Sequence, residues 1–154
     1  MVIVLRAGRK ADLQAFFELD QICFARGVAY ALDEMQYFLT APCSATVAAE
    51  VDGSLAGFTI AELTRERSRS GGHLITIDVA PAHRRQGVGR LLLRALEERL
   101  LASRAEWLKL EVAVDNLGAF AFYTGLGFKQ TGRLRGYYPG KVDALVMQKA
   151  LVAV

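Results

Sequence analysis

Cysteine is scarce in this 154-residue chain: only Cys23 and Cys43 occur, too few for a disulfide scaffold and without metal-ligand spacing. They read as free thiols, which fits a reducing compartment. Histidine is as rare, and His73 and His83 have no partners at zinc-binding intervals, so no metal is expected. No apolar run approaches the ~18 residues of a membrane span, and the opening MVIVLRAGRK reaches Arg6 too soon for a signal-peptide core. A cytoplasmic protein without a membrane partner is the expectation. Charge is nearly balanced, 19 basic against 16 acidic residues, and is not gathered in a tail. By itself that argues neither for nucleic acid nor for a membrane surface as a partner, and no nucleic acid is expected. The most basic stretch, TRERSRSGG, interleaves Arg65, Arg67 and Arg69 with Glu66 and serines, and reads as a charged, glycine-terminated, solvated loop. Internal repeats and low-complexity linkers are missing.

What the chain does have is apolar residues, 53% of the total, enough for one domain over residues 1–154 with a sizeable core. VIVLR reads as a strand. A helix from about Lys10 to Ala25 follows, with Leu13, Phe16, Phe17 and Phe24 at three- and four-residue steps and Asp12 in its first turn. A second helix covers Leu32 to Thr40 and stops before Ala41-Pro42. Asp52-Gly53 between two apolar runs predicts a tight hairpin. Then come the strand HLITIDV, a helix from Gly87 to about Ser103, the strand WLKLEVAV, the helix NLGAFAFYTGLGF, and a strand pair in KQTGRLRGYY and DALVMQKAL. The order predicts an α/β fold, a mixed and mostly antiparallel sheet with helices on both faces.

Glycine costs roughly 1 kcal/mol relative to Ala inside a helix, yet ITIDVAPAHRRQGVGRLLL places two at the start of one. A helix N-terminus carries about +0.5 charge and unpaired N–H groups, and glycines let an anion come close. Gly87 and Gly89, flanked by Arg84, Arg85 and Arg90, fit a pyrophosphate cradle; a glycine loop with surface arginines is the plainer alternative. A P-loop loses ground because Arg90 and Leu91 follow Gly89, and a dinucleotide fingerprint because Leu92 stands where a small residue is needed.

These residues resemble the acyl-CoA-binding motif of the GNAT N-acetyltransferases, Q/R-x-x-G-x-G/A, met by Arg84, Gly87 and Gly89 between a strand and a helix. The later segment LKLEVAVDNLGAFAFYTGLGFKQTGRLRGYYPGKVDALVM is similar to the ribosomal-protein-alanine N-acetyltransferase group, with its L-E-V strand, following Asn, A-x-x-x-Y-x-x-x-G-F helix and Y-Y-P. The opening LRAGRKADLQAFFELDQICF resembles that superfamily's first strand and helix. The resemblance implies the GNAT fold and acetyl-CoA as co-substrate, bound along Arg84, Arg85, Gln86, Gly87, Val88, Gly89 and Arg90. It implies that the pantetheine arm pairs with the backbone of Ile77, Asp78 and Val79. It also implies direct attack of an amine on the thioester.

Such attack needs a base, because an α-amino group of pKa near ~8 is largely protonated at neutral pH, and an acid for the departing thiolate. The resemblance assigns Glu111 as base, directly or through a water, and Tyr123 as acid. Plainer readings are a solvated strand glutamate and a core aromatic. Asp78 is the next candidate base, though pairing with Arg84 or Arg85 is its expected task. Asn116 would hold the cofactor arm or cap the helix at Leu117. Tyr137 and Tyr138, with Pro139, would wall a peptide groove or stabilise a hairpin. FARGVAYALDEMQYF lacks the Pro-Trp-Ser-like stretch common in the resembled group, and this is the part expected to shape acceptor choice. The reading is a monomeric or homodimeric N-acetyltransferase acting on a peptide or protein N-terminus, possibly of a ribosomal protein. A small amine or lysine acceptor, or a non-catalytic acyl-CoA-binding regulatory domain, are the alternatives; Glu111 with Tyr123 speaks against the last.

Overall fold

The computed structural model describes residues 1–152. Strand β1 (Ile3–Ala7) leads through a 3-10 turn into helices α1 (Leu13–Cys23) and α2 (Leu32–Thr40). Strands β2 (Ser44–Val51), β3 (Ser54–Glu66) and β4 (Arg69–Val79) precede α3 (Val88–Ala102), β5 (Trp107–Ala113), α4 (Leu117–Gly125), β6 (Lys129–Tyr138) and β7 (Val142–Ala150). This is the expected order of elements. The strands form one sheet, β1-β2-β3-β4-β5-β7-β6, in which β4 and β5 run parallel and the other neighbours antiparallel.

Alternation along the strands sends apolar side chains to both faces. Val47 and Ala49 of β2 join Leu92, Leu93, Leu96 and Leu100 of α3 and Tyr123 of α4 in one buried cluster. Ala48, from the same strand, joins Phe16 and Leu19 of α1, Met35 and Phe38 of α2, and Phe58 and Ile60 of β3 in a second. Helices α3 and α4 therefore cover one face, and α1 and α2 the other. Helix α1 starts later and ends earlier than the periodicity predicts. Asp12 accepts the Arg9 N–H at 2.7 Å and both terminal guanidinium nitrogens of Arg6 at 2.8 Å, so the first turn is tied to β1. The Arg6 hydrogen bond holds the Asp12 carboxyl below its ordinary value. At the other end Phe24 is already extended.

The stretch TRERSRSGG is not a loop. Strand β3 runs to Glu66, Arg67 and Ser68 turn the chain with φ of 51° and 70°, and β4 starts at Arg69 opposite Glu66. Positive φ at both central residues is the turn that suits the twist of a hairpin, and here it forms without glycine. The charges are spent across the sheet: Arg69 pairs with Glu106 at 2.7 Å and Lys109 with Glu66 at 3.2 Å. Nor does Gly71 end a loop. It lies within β4, where a Cβ would overlap the Trp107 indole ring on β5, a close approach that only glycine permits. Among the described residues no helix is long and apolar enough to cross a membrane.

Candidate active site at the strand split

Strands β4 and β5 are registered only at Gly72–Leu108 and His73–Lys109. Just beyond, Thr76 pairs with Ile60 and Leu74 with Ala61, so Ile75 is an extra residue in β4. A bulge of this kind bends its strand, and β4 parts from β5. Its last residues, Ile77, Asp78 and Val79, have β3 on one side and no registered strand on the other. The Val79 carbonyl accepts Arg84 Nε at 3.0 Å.

At the end of β4 the chain makes a 3-10 turn at Pro81–His83 and reaches α3 through Arg85 (φ 61°) and Gly87 (φ 85°), the N-cap. Leu91 N–H donates to the Gly87 carbonyl. The consecutive N–H groups of Arg85 through Arg90 have no partner among the described residues. A Cβ on Gly87 would meet nothing within 4 Å, so the approach is open. Arg85, Gln86 and Arg90 are exposed, whereas Val88 is buried and offers the turn only its backbone. Positive φ, free N–H groups and arginines make an anion site at the N-terminus of a four-turn helix.

The expected pairing of Asp78 with Arg84 or Arg85 is overturned. Alternation along β4 turns the Asp78 side chain to the α1 face, while Arg84 folds back to Val79 and Cys23. Asp78 is 1% exposed and takes the Thr76 hydroxyl on Oδ1 at 2.5 Å. Asp20 of α1, fully buried, takes the Tyr30 N–H on Oδ2 at 2.7 Å. The two remaining oxygens, Asp20 Oδ1 and Asp78 Oδ2, have no other partner, and the carboxyls lie within hydrogen-bonding reach of each other. Two buried carboxylates so placed cannot both ionise. Burial, and then the facing Asp20 carboxyl, push Asp78 well above the ordinary carboxylate range, so the pair holds one proton between its two free oxygens.

A consequence for stability follows. The folded chain keeps the Asp78 proton over a range where the unfolded chain releases it, from ~3.9 upward. Stability from this group is therefore complete at acid pH and lost as pH rises through the raised value. Asp78→Asn, whose amide can donate to Asp20 in place of the proton, should flatten that fall. Thermal denaturation of both proteins between pH 4 and 8 measures it; identical slopes would contradict the shared proton.

On the α1 face of β5, Glu111 projects beside Lys109. Its Oε1 lies 2.7 Å from His73 Nε2 and 3.5 Å from the Tyr137 hydroxyl. The hydrogen bond to Glu111 raises the His73 pKa, against the opposing effect of burial. Tyr137, 51% exposed, meets Tyr138 edge to face at 5.0 Å. Tyr30, from the segment between α1 and α2, donates its hydroxyl to the Ile75 carbonyl at 3.3 Å. Gly27 of the same segment approaches Pro139. The segment thus reaches across the split to the corner that carries the tyrosines. Sequence reasoning missed His73 and Tyr30: neither has a chemical partner nearby in the chain, and both gain theirs through strand register and the α1–α2 bend.

Tyr123 packs edge to face with Phe122 at 5.3 Å and with Phe128 at 5.6 Å. Among the described residues its hydroxyl has no hydrogen-bond partner. Burial, with smaller contributions from Tyr138 and Asp78, pushes its pKa up, so the proton stays on oxygen at neutral pH. Asn116 caps α4, accepting the Ala119 N–H on Oδ1 at 3.1 Å.

Known proteins share this architecture. The [Ribosomal protein bS18]-alanine N-acetyltransferase of Escherichia coli strain K12 is 36% identical over 99 residues, 62% of this chain. The chain spans 64% of that relative's length, under two thirds. N-alpha-acetyltransferase 20 of Dictyostelium discoideum is 33% identical over 118 residues, 76% of this chain and 68% of the relative. The crystal structure of the ribosomal-protein-S18-alanine N-acetyltransferase from Escherichia coli superposes with a TM-score of 0.88 at 26% identity, covering 99% of this chain and 96% of the other. Residues 13–128, from the start of α1 to the end of the α4 segment, match the Acetyltransferase (GNAT) family. With most of its length matched and the split sheet in place, the chain belongs to that family.

Proposed function

We propose that this protein transfers an acetyl group from acetyl-CoA to the α-amino group of a protein N-terminus, and that residues 1–154 form one catalytic domain. The observation that carries this reading is the split between β4 and β5, with an open N–H cradle at one end and Glu111 and Tyr137 meeting on its α1 face. The names of the relatives support the acceptor class, because the E. coli protein is called an alanine acetyltransferase of a ribosomal protein and the Dictyostelium protein an N-alpha-acetyltransferase. A ribosomal protein beginning with Ala is therefore the first acceptor to try. The free thiols Cys23 and Cys43 fit action in the cytoplasm.

In this reading acetyl-CoA supplies a thioester carbonyl carbon. The N–H groups of Arg85 through Arg90 receive its pyrophosphate, aided by the Arg85 and Arg90 charges, and the free edge of Ile77 to Val79 aligns the arm. Asn116 fixes the start of α4, which holds Tyr123. Glu111 forms the base end of the site, where the attacking ammonium loses its proton, while Tyr123 gives its proton to the departing sulfur. Tyr137 and Tyr138 grip the acceptor backbone, their stiff rings losing little entropy on contact.

Mass spectrometry of a peptide panel incubated with protein and acetyl-CoA tests the reading. Free Ala- and Ser-starting N-termini are expected to gain one acetyl group, and N-terminally blocked, lysine-containing controls none. Labelling confined to lysine would reassign the acceptor. No product on any peptide, with acetyl-CoA still bound, would reject peptide acetylation in favour of a small amine or a regulatory role.

A further inference from the structure

We propose that His73 is a further catalytic residue: its imidazole takes the proton of the attacking ammonium, and Glu111 holds and charges the ring. This rests on the acetyl-transfer reading and deepens it.

The geometry points from Glu111 toward the imidazole. Glu111 Oε1 is already engaged by His73 Nε2 at 2.7 Å and approached by the Tyr137 hydroxyl at 3.5 Å. Of the two side chains the ring is the more accessible, 35% exposed against 14% for Glu111. A carboxylate on Nε2 selects the tautomer with hydrogen on Nε2 and a lone pair on Nδ1, and Nδ1 has no partner among the described residues. His73 is also the last β4 residue registered with β5, so the ring stands where the strands part. A sheltered carboxylate, an imidazole and an outward ring nitrogen form the base half of a triad, in which the carboxylate orients the ring and stabilises the imidazolium.

The chemistry agrees. Proton transfer is most effective between groups of similar pKa; an ammonium near ~8 is closer to an imidazole near ~6.5 than to a carboxylate near ~4.3. The groups facing His73 are Glu111 and Lys109 on β5 and Glu62 on β3, with Tyr137 of β6 reaching it through Glu111. The two carboxylates favour the imidazolium and Lys109 opposes it. In the reaction the ammonium gives one proton to Nδ1, and the freed electron pair forms the C–N bond. The C–S bond breaks with its pair on sulfur, which takes a proton from Tyr123. The nitrogen releases its second proton as the amide forms, Tyr123 regains one from solvent, and the imidazolium passes its own to solvent. The net yield is an amide, a thiol and one proton.

The test pairs kinetics with NMR. Turnover at saturating acetyl-CoA and peptide is followed from pH 5.5 to 9.5 for the wild type, His73→Gln and Glu111→Gln, and the imidazole signals are titrated in the wild type and Glu111→Gln. With only two histidines in the chain, His73→Gln assigns them. The wild-type rate should rise with pH along a limb whose midpoint matches the His73 titration. Glu111→Gln should move limb and titration together to lower pH. His73→Gln should lower kcat by about 100-fold and abolish the limb, with acetyl-CoA affinity unchanged. A limb that survives in His73→Gln, or a His73 midpoint unmoved in Glu111→Gln, overturns the role of His73 while product formation keeps the acetyl-transfer reading. A wild type that acetylates no acceptor overturns both.

Discussion

Tyr123→Phe is expected to lower kcat by about 100-fold or more, the usual contribution of a positioned acid, with the acetyl-CoA dissociation constant unchanged. The substitution is clean for a structural reason. The Tyr123 hydroxyl has no hydrogen-bond partner among the described residues, so its removal orphans no donor or acceptor. The ring keeps its edge-to-face contacts with Phe122 and Phe128, and stability should stay within about 0.5 kcal/mol. A loss of turnover then belongs to the reaction and not to the fold. Steady-state kinetics with calorimetric titration of acetyl-CoA decides the matter: wild-type turnover in the variant would show that the sulfur takes its proton from another source.

Phe58→Ala should produce the largest loss of stability. Phe58 is fully buried, and its ring stacks on Phe16 of α1 with centroids 4.0 Å apart and planes 8° from parallel. Truncating a buried phenylalanine costs about 3–5 kcal/mol through lost transfer energy and a residual cavity, against a typical total of 5–15 kcal/mol. At about 2–4 °C per kcal/mol for a chain of this size, the midpoint should fall by roughly 6–20 °C. The stack is the main aromatic tie between α1 and the sheet, so the loss falls on the α1 and α2 side. Thermal unfolding followed by circular dichroism measures it; a fall under about 2 °C would mean that the cluster relaxes into the space.

Local signals were enough for several parts of this structure. Asp52-Gly53 makes its two-residue turn with φ of 50° and 85°, α2 ends at Thr40 before Ala41-Pro42, and Gly87 takes the left-handed conformation at the start of α3. Each outcome is decided within a few residues. The turn at Arg67-Ser68 was not legible, because neither residue favours the positive φ it takes and the pairing of β3 with β4 imposes that conformation. Gly71 was opaque for a related reason, since the ring it accommodates arrives from β5. Asp78 was read toward the arginines that follow it, but its direction is fixed by strand alternation and its partner Asp20 lies 58 positions earlier in the chain. His73 and Glu111 are 38 residues apart, and only the parallel register of β4 and β5 makes them neighbours.

The two apolar clusters lie on opposite faces of one sheet and have no side chain in common among the described residues, so each face packs on its own terms. The turn before α3 is anchored from behind by Val88 and the α3 leucines. The segment from Phe24 to Ala31 and the Tyr137–Pro139 corner meet on the other side. Substitutions confined to the exposed side chains of this second region leave the packing behind the α3 turn in place.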